Sequence, residues 1–250
     1  MVQRLLAGGM VAGALAALLA LLFAQHFGEP PVDRALAFEA AHSSAHAMTA
    51  ELPLVSRGTQ RGIGLLTALL MYGTAIGGLF ALCFAFCHGR VGRISPRGLA
   101  FALALGGFVS LALVPALVYP ATPPAVGQHE TVGFRTACHF ALLALSLGAL
   151  VFAANFGLAL SRRIAAFDAA LAAAAAYALT MFLAAAMLPQ IDEVPPRFPA
   201  DVLWDFRIAA IAMHALVWAA LGYLFGLWAD RLLRGRGPAN ASSKLEPGRP

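Results

Sequence analysis

Long apolar stretches alternate with polar connectors along the whole chain. A helix that crosses a membrane needs ~20 consecutive, mainly apolar residues. Six windows reach that length, at 5–23, 63–86, 99–118, 136–160, 169–188 and 208–228, and none contains Asp, Glu, Lys or Arg. The pattern predicts an all-α, polytopic membrane helix bundle of six transmembrane helices over residues 1–234. The stretch 235–250 is rich in Gly, Pro and Ser and reads as a disordered tail. The first window starts beside Arg4, as a signal peptide would. Leu22 is too bulky for the −3 position of a cleavage site before Ala24, so this window is expected to stay as a span.

Composition supports the same class. Of the 250 residues, 60% are hydrophobic and 12% charged, against roughly 25% charged in an average soluble domain. That excludes an ordinary soluble globule, and it excludes disorder, which needs low hydrophobicity and high charge. Lys244 is the only lysine. A phosphate-binding loop of the Walker type is therefore absent, and no ATP binding is expected of this chain. The arginines sit at span ends rather than in one patch, so the net charge of +5 is not a nucleic-acid signal. The cysteines, Cys83, Cys87 and Cys138, are odd in number and lie in apolar surroundings, which argues against a disulfide framework.

Charge also orients the spans. The connectors after the second and fourth windows carry Arg90, Arg93, Arg97, Arg162 and Arg163. Together with Arg4 and the tail, that side holds eleven basic and three acidic residues, and the opposite side six basic and nine acidic. By the positive-inside rule both termini are cytoplasmic, and the long connectors 24–62, 119–135 and 189–207 face outward. Each outer connector contains proline and ends in arginine before the next span, at Arg57 and Arg61, Arg135, and Arg207, so the chain reads as a hairpin repeated. Gly9 and Gly13, Gly73 and Gly77, and Gly222 and Gly226 form G-x-x-x-G pairs, which favour close helix packing. Pro115 is placed to kink the third span near its outer end.

The histidines are unevenly placed. All but His88 lie in the outer connectors or in the outer part of a span, beside the acids Glu29, Asp33, Glu39, Glu51, Glu130, Asp192, Glu193, Asp201 and Asp205. Imidazole and carboxylate together suit borderline divalent ions such as Zn, Ni, Co and Fe. Residues 32–50 have helical composition, and in them Glu39, His42 and His46 fall at i, i+3 and i+7, on one face. The face reads equally as a three-ligand metal site or as a solvated polar surface. His139 and His214 lie inside spans, where polar groups are functional by default or else bond one helix to another. Arg135 and Arg207 could pair with Glu130 and Asp205 or with other loop carboxylates, but the favoured reading is an interfacial anchor with a snorkelling stem. Cys83, Cys87 and His88 share the inner end of one span and read as small buried residues or a soft-metal exit site.

The connectors also carry a resemblance. Glu29-Pro30-Pro31-Val32-Asp33, Ala37-Phe38-Glu39 and Val55-Ser56-Arg57 with Gln60 resemble the first outer loop of the predicted cobalt transporter subunit family, CbtA. Tyr119-Pro120, Pro123-Pro124-Ala125-Val126-Gly127 and Arg135-Thr136 resemble its second. Leu188-Pro189, Glu193-Val194-Pro195, Phe198-Pro199-Ala200, Leu203-Trp204 and Phe206-Arg207 resemble its third, and Leu216-Val217-Trp218 through Gly226 fits its end. The resemblance runs from about residue 1 to 235. It implies an inner-membrane protein that imports cobalt for cobalamin synthesis, with a small single-span, His-rich partner subunit, CbtB. Glu29, Asp33, Glu39, Arg57, Arg135, Glu193 and Arg207 match the family strings, whereas His139 and His214 stand outside them.

The sequence thus predicts the membrane subunit of a divalent-metal uptake transporter, cobalt favoured by the resemblance, embedded in the lipid bilayer of a bacterial inner membrane. No tightly bound cofactor is expected. The candidate metal-handling residues are Glu29, Asp33, Glu39, His42, His46, Glu193, His139 and His214. Two other classes stay open: a scaffold or assembly subunit without its own path, and a metal-dependent membrane enzyme. Against the enzyme, there is no H-E-x-x-H and no nucleophile elbow.

Overall fold

The computed structural model describes residues 1–43, 55–92 and 94–234, and every regular element among them is helical. Six helices are long and apolar enough to cross a membrane. They are α1 (Val2–His42), α2 (Arg57–Cys87), α3 (Pro96–Val118), α4 (Val132–Leu160), α5 (Ala166–Met187) and α6 (Ala200–Arg234). Each falls on one expected apolar window. His46 and the stretch 235–250 lie outside the described residues. The long connectors gather at one end of the bundle, called here the acidic end, and Arg4, Arg97, Asp230 and Arg234 meet at the other.

The first connector differs most from a loop. With 41 residues at ~1.5 Å each, α1 is about 60 Å long, twice the ~30 Å hydrocarbon thickness. Its second half therefore stands beyond the apolar window. Pro30 and Pro31 lack the N–H groups that would continue the helical ladder. The turn before them, Ala24–Gly28, widens to π geometry, with the Glu29 N–H reaching back to Ala24 O. The helix passes the prolines without ending.

The same device appears at Pro115. Val109–Leu113 is a π turn, and the Val114 N–H donates to Val109 O. That leaves Ser110 O without its usual i+4 donor, and Pro115 at i+5 has no N–H to offer. The Ser146 hydroxyl of α4 donates to this carbonyl at 2.7 Å, and the Tyr177 hydroxyl of α5 lies 2.7 Å from Ser146 Oγ. Ser146 has one proton and Ser110 O takes it, so Tyr177 donates to Ser146. A single orphaned carbonyl thus ties α3, α4 and α5 together in the apolar interior.

The glycine pairs set the main helix contact. A β-carbon on Gly13 would collide with Gly73 O, and one on Gly77 with Gly9 O, so α1 and α2 touch backbone to backbone at facing G-x-x-x-G pairs. Gly222 and Gly226 of α6 instead receive Ala104 and Ala100 of α3. Around them Phe80, Phe84, Trp218, Leu221 and Phe225 fill the principal core, with Phe84 and Phe225 ring centroids 5.0 Å apart. A second core joins α4 and α5 through Leu142, Tyr177 and Met181. α5 packs chiefly on α4 rather than on α6, so the three expected hairpins are not packed alike. At the basic end Asp230, only 3% exposed, accepts Arg97 at 3.0 Å and Arg234 at 2.8 Å.

Candidate functional site

Two kinds of structure occupy the acidic end. The first is a set of ion pairs that brace the extension of α1. Arg57 pairs with Glu29 and, at 3.2 Å, with Asp33, and Arg61 lies 3.8 Å from Asp33. Arg34 reaches Asp205 at 2.6 Å and Asp201 at 3.2 Å. Glu29 and Asp33, expected among the metal-handling residues, are thus engaged by arginines that fasten α1 to α2.

The second is a lock between the two later connectors. Gln128 N–H donates to Glu193 Oε2 at 2.7 Å, Arg135 Nε lies 3.4 Å from the same oxygen, and Arg135 Nη2 donates to Gln128 O at 3.1 Å. The Thr131 hydroxyl, the Gln128 amide and the Arg135 charge, in that order, hold the Glu193 carboxyl below its ordinary range. The Thr131 hydroxyl also lies 3.1 Å from Gln128 O. Gly127 is required here twice: its φ is +109°, and a β-carbon would press into the Arg135 guanidinium. Beneath the lock, Ala35, Val126, Phe198 and Val202 form a small apolar core, with Phe38 and Phe198 centroids 5.0 Å apart.

Cavities run inward from this lock. The outermost, about 660 Å³, is lined by Glu39, His42, His129 and Arg135 with the prolines of both connectors. The next, about 380 Å³, shares Val126, Val132 and Arg135 with it and adds Asp192, Glu193, His139 and Arg207. The innermost, about 300 Å³, shares Tyr119, Pro120, Ala121, His139 and Arg207 with the second and ends among Tyr72 and His214. Shared walls make the three a stepped series, with His139 between the lower two. His42 Nδ1 donates to Phe38 O at 2.8 Å, which leaves Nε2 free, and its ring stacks on Phe38 at 4.0 Å. His214 meets the Tyr72 ring edge to face at 6.4 Å.

Glu39, His42, Glu193, His139 and His214 therefore line three adjoining cavities, whereas Glu29 and Asp33 line none of the three. Among the described residues no three or more His, Cys, Asp or Glu side chains stand close enough to hold one metal ion. The described part of Glu39–His46 ends short of His46, and Cys83, Cys87 and His88 form no such group. Sequence reasoning missed Tyr72 and Tyr119 as cavity residues. It read Arg135 and Arg207 as interfacial anchors or as partners of loop carboxylates; Arg135 does pair with a loop carboxylate, Glu193, and both arginines line the cavities. Their position just before an apolar window was the available signal.

No curated protein and no solved structure matches the chain. The six membrane-length helices make it a multi-pass membrane protein. A family model described as probable cobalt transporter subunit, CbtA, matches residues 2–230, and the chain belongs to that family.

Proposed function

We propose that the chain is the membrane subunit of a divalent-cation uptake transporter, with Co²⁺ as the favoured cargo and cobalamin synthesis as its destination. The acidic end faces outward and both termini face the cytoplasm of a bacterial inner membrane, as the charge asymmetry of the connectors supports. The observation that carries this reading is the stepped cavity series, from Glu39 and His42, past Glu193 and His139, to His214. Carboxylates gather the hydrated ion at the mouth, and imidazoles replace water ligands deeper in. Single ligands spaced along a path bind more weakly than a closed cluster, which suits a cargo that must leave. Glu29 and Asp33 act here as braces rather than ligands.

A divalent ion entering down 100 mV gains roughly 4.6 kcal/mol, which supports accumulation of about a thousandfold. Import therefore needs no ATP site on this chain. The small single-span, His-rich subunit implied by the family resemblance is the proposed partner.

The test is ⁵⁷Co²⁺ uptake in cells lacking other cobalt importers, with and without the small subunit. Chain-dependent uptake that falls at least tenfold in His139→Ala/His214→Ala and in Glu39→Ala/His42→Ala/His46→Ala, at unchanged membrane abundance, supports the proposal. The scaffold reading draws on the lack of a three-ligand group among the described residues. It predicts uptake untouched by either variant, and that result would overturn the path proposed here.

A further inference from the structure

Arg207 is placed unlike any other arginine among the described residues. It lines both inner cavities, and its Nε is sealed from solvent without a hydrogen-bond partner. No described residue forms an ion pair or hydrogen bond with it. The other arginines without a described partner, Arg4, Arg162, Arg163, Arg197 and Arg231, are all exposed to solvent or lipid headgroups. The innermost cavity contains no carboxylate, and Arg207 is the only formally charged side chain in its wall. Arg207 as a whole is half-buried; a guanidinium whose Nε has lost water and gained no partner is disfavoured, and its fork matches the paired oxygens of a carboxylate or phosphate.

We propose that the innermost cavity is a binding site for a small oxyanion, a carboxylate or phosphate group, seated on Arg207 between His139 and His214. The imidazoles and the Tyr72 hydroxyl supply the flanking hydrogen bonds. The cavity of about 300 Å³ accepts an ion of acetate or phosphate size. The site also answers an electrostatic difficulty. With Arg207 alone in the wall, a divalent cation entering the cavity meets like charge and no countercharge. A bound oxyanion cancels the Arg207 charge and adds oxygen ligands beside the two imidazoles. Cation entry, on the reading above, then requires the anion.

Binding is read without any metal, so it stands or falls separately from cobalt uptake. The full chain is purified in a buffer free of phosphate and carboxylate, and its melting midpoint is followed against sodium phosphate and sodium acetate, with sodium chloride at matched ionic strength. The expected result is a saturable rise of several degrees with either oxyanion. The rise is lost in Arg207→Gln and kept in Arg163→Gln. Because Arg207→Gln risks misfolding, Ala210→Glu is the second variant. Ala210 lines the same cavity one turn from Arg207, and the new carboxylate occupies the guanidinium from within. It is expected to raise the midpoint and abolish the response to phosphate. Native mass spectrometry separates the sources of the oxyanion: a copurified phospholipid that is lost in Ala210→Glu assigns the site to a lipid headgroup. A wild-type chain that neither responds to phosphate or acetate nor retains such a lipid would overturn the proposal. So would an equal response in Ala210→Glu.

Discussion

Ser146→Ala tests the link between backbone and bundle most directly. The π turn at Val109–Leu113 spends the Val114 N–H on Val109 O, and Pro115 offers no donor. Ser110 O then depends on the Ser146 hydroxyl at 2.7 Å. Removing that hydroxyl leaves a buried carbonyl unsatisfied and strips the Tyr177 hydroxyl of its acceptor. A buried polar group without its partner costs about 1–3 kcal/mol, and hydrogen bonds between membrane helices reach about 1.7 kcal/mol. A loss of about 1–2 kcal/mol is expected, or about 2–8 °C in melting midpoint for a chain of this size. The decisive arm is the same change in a Pro115→Ala background. There residue 115 regains an N–H that can reach Ser110 O, so Ser146→Ala should cost less than half as much. Reversible unfolding in detergent micelles or bicelles gives all four corners of the cycle. Equal cost in both backgrounds would refute the reasoning, because Ser110 O would then not be the group that Ser146 serves.

Other perturbations follow from the same geometry. Gly13→Val or Gly77→Val should sharply lower the yield of folded protein, because the new β-carbon meets a backbone carbonyl; Gly148→Ala meets nothing within 4 Å and should be neutral or stabilising by up to about 1 kcal/mol. Glu193 has a carboxyl held below the ordinary 4.5, so its contribution is fully present above that value and is lost as pH falls through the lowered one. Glu193→Gln should therefore flatten the acid side of a midpoint-against-pH curve while leaving neutral pH to report only the lost contacts. Arg34→Ala removes two ion pairs whose partners are half exposed or more; the expected loss is about 1 kcal/mol or less, shrinking further in high salt. Arg57→Ala should cost more than Arg34→Ala, because it strands the Glu29 carboxylate, whose side chain is only 13% exposed.

The apolar windows were legible because crossing a bilayer imposes a length that the sequence either meets or fails. The existence of close helix contacts was legible too, in the spacing of Gly9, Gly13, Gly73 and Gly77. Their partners were not: nothing in a spacing says that the α1 and α2 pairs face each other while Gly222 and Gly226 take alanines of α3. The extension of α1 was half visible. Helical composition over residues 32–50 pointed to it, but Pro30 and Pro31 argued for a loop, and the π turn that absorbs them has no strong sequence mark.

Arg207 shows why one part of the cavity wall was harder to read than its histidines. His139 and His214 announce themselves, because a titratable group inside an apolar window is rare. Arg207 stands one residue outside such a window, where arginine ordinarily anchors at the interface. Which way it points is fixed by the rotation of α6 about its axis. That rotation is set far away, by Gly222 against Ala104 and by Trp218 against Gly107, whose added β-carbon would strike the indole ring. Arg207 lies eleven residues before Trp218, about three helical turns, so both fall near one face of α6. The close-packed glycine seam that holds the basic half of the bundle together thereby also turns Arg207, the one half-buried arginine without a partner among the described residues, toward the inner cavities. A change at Gly107 that rotated α6 should accordingly expose Arg207 to the bilayer interface and empty the inner cavity of its charge.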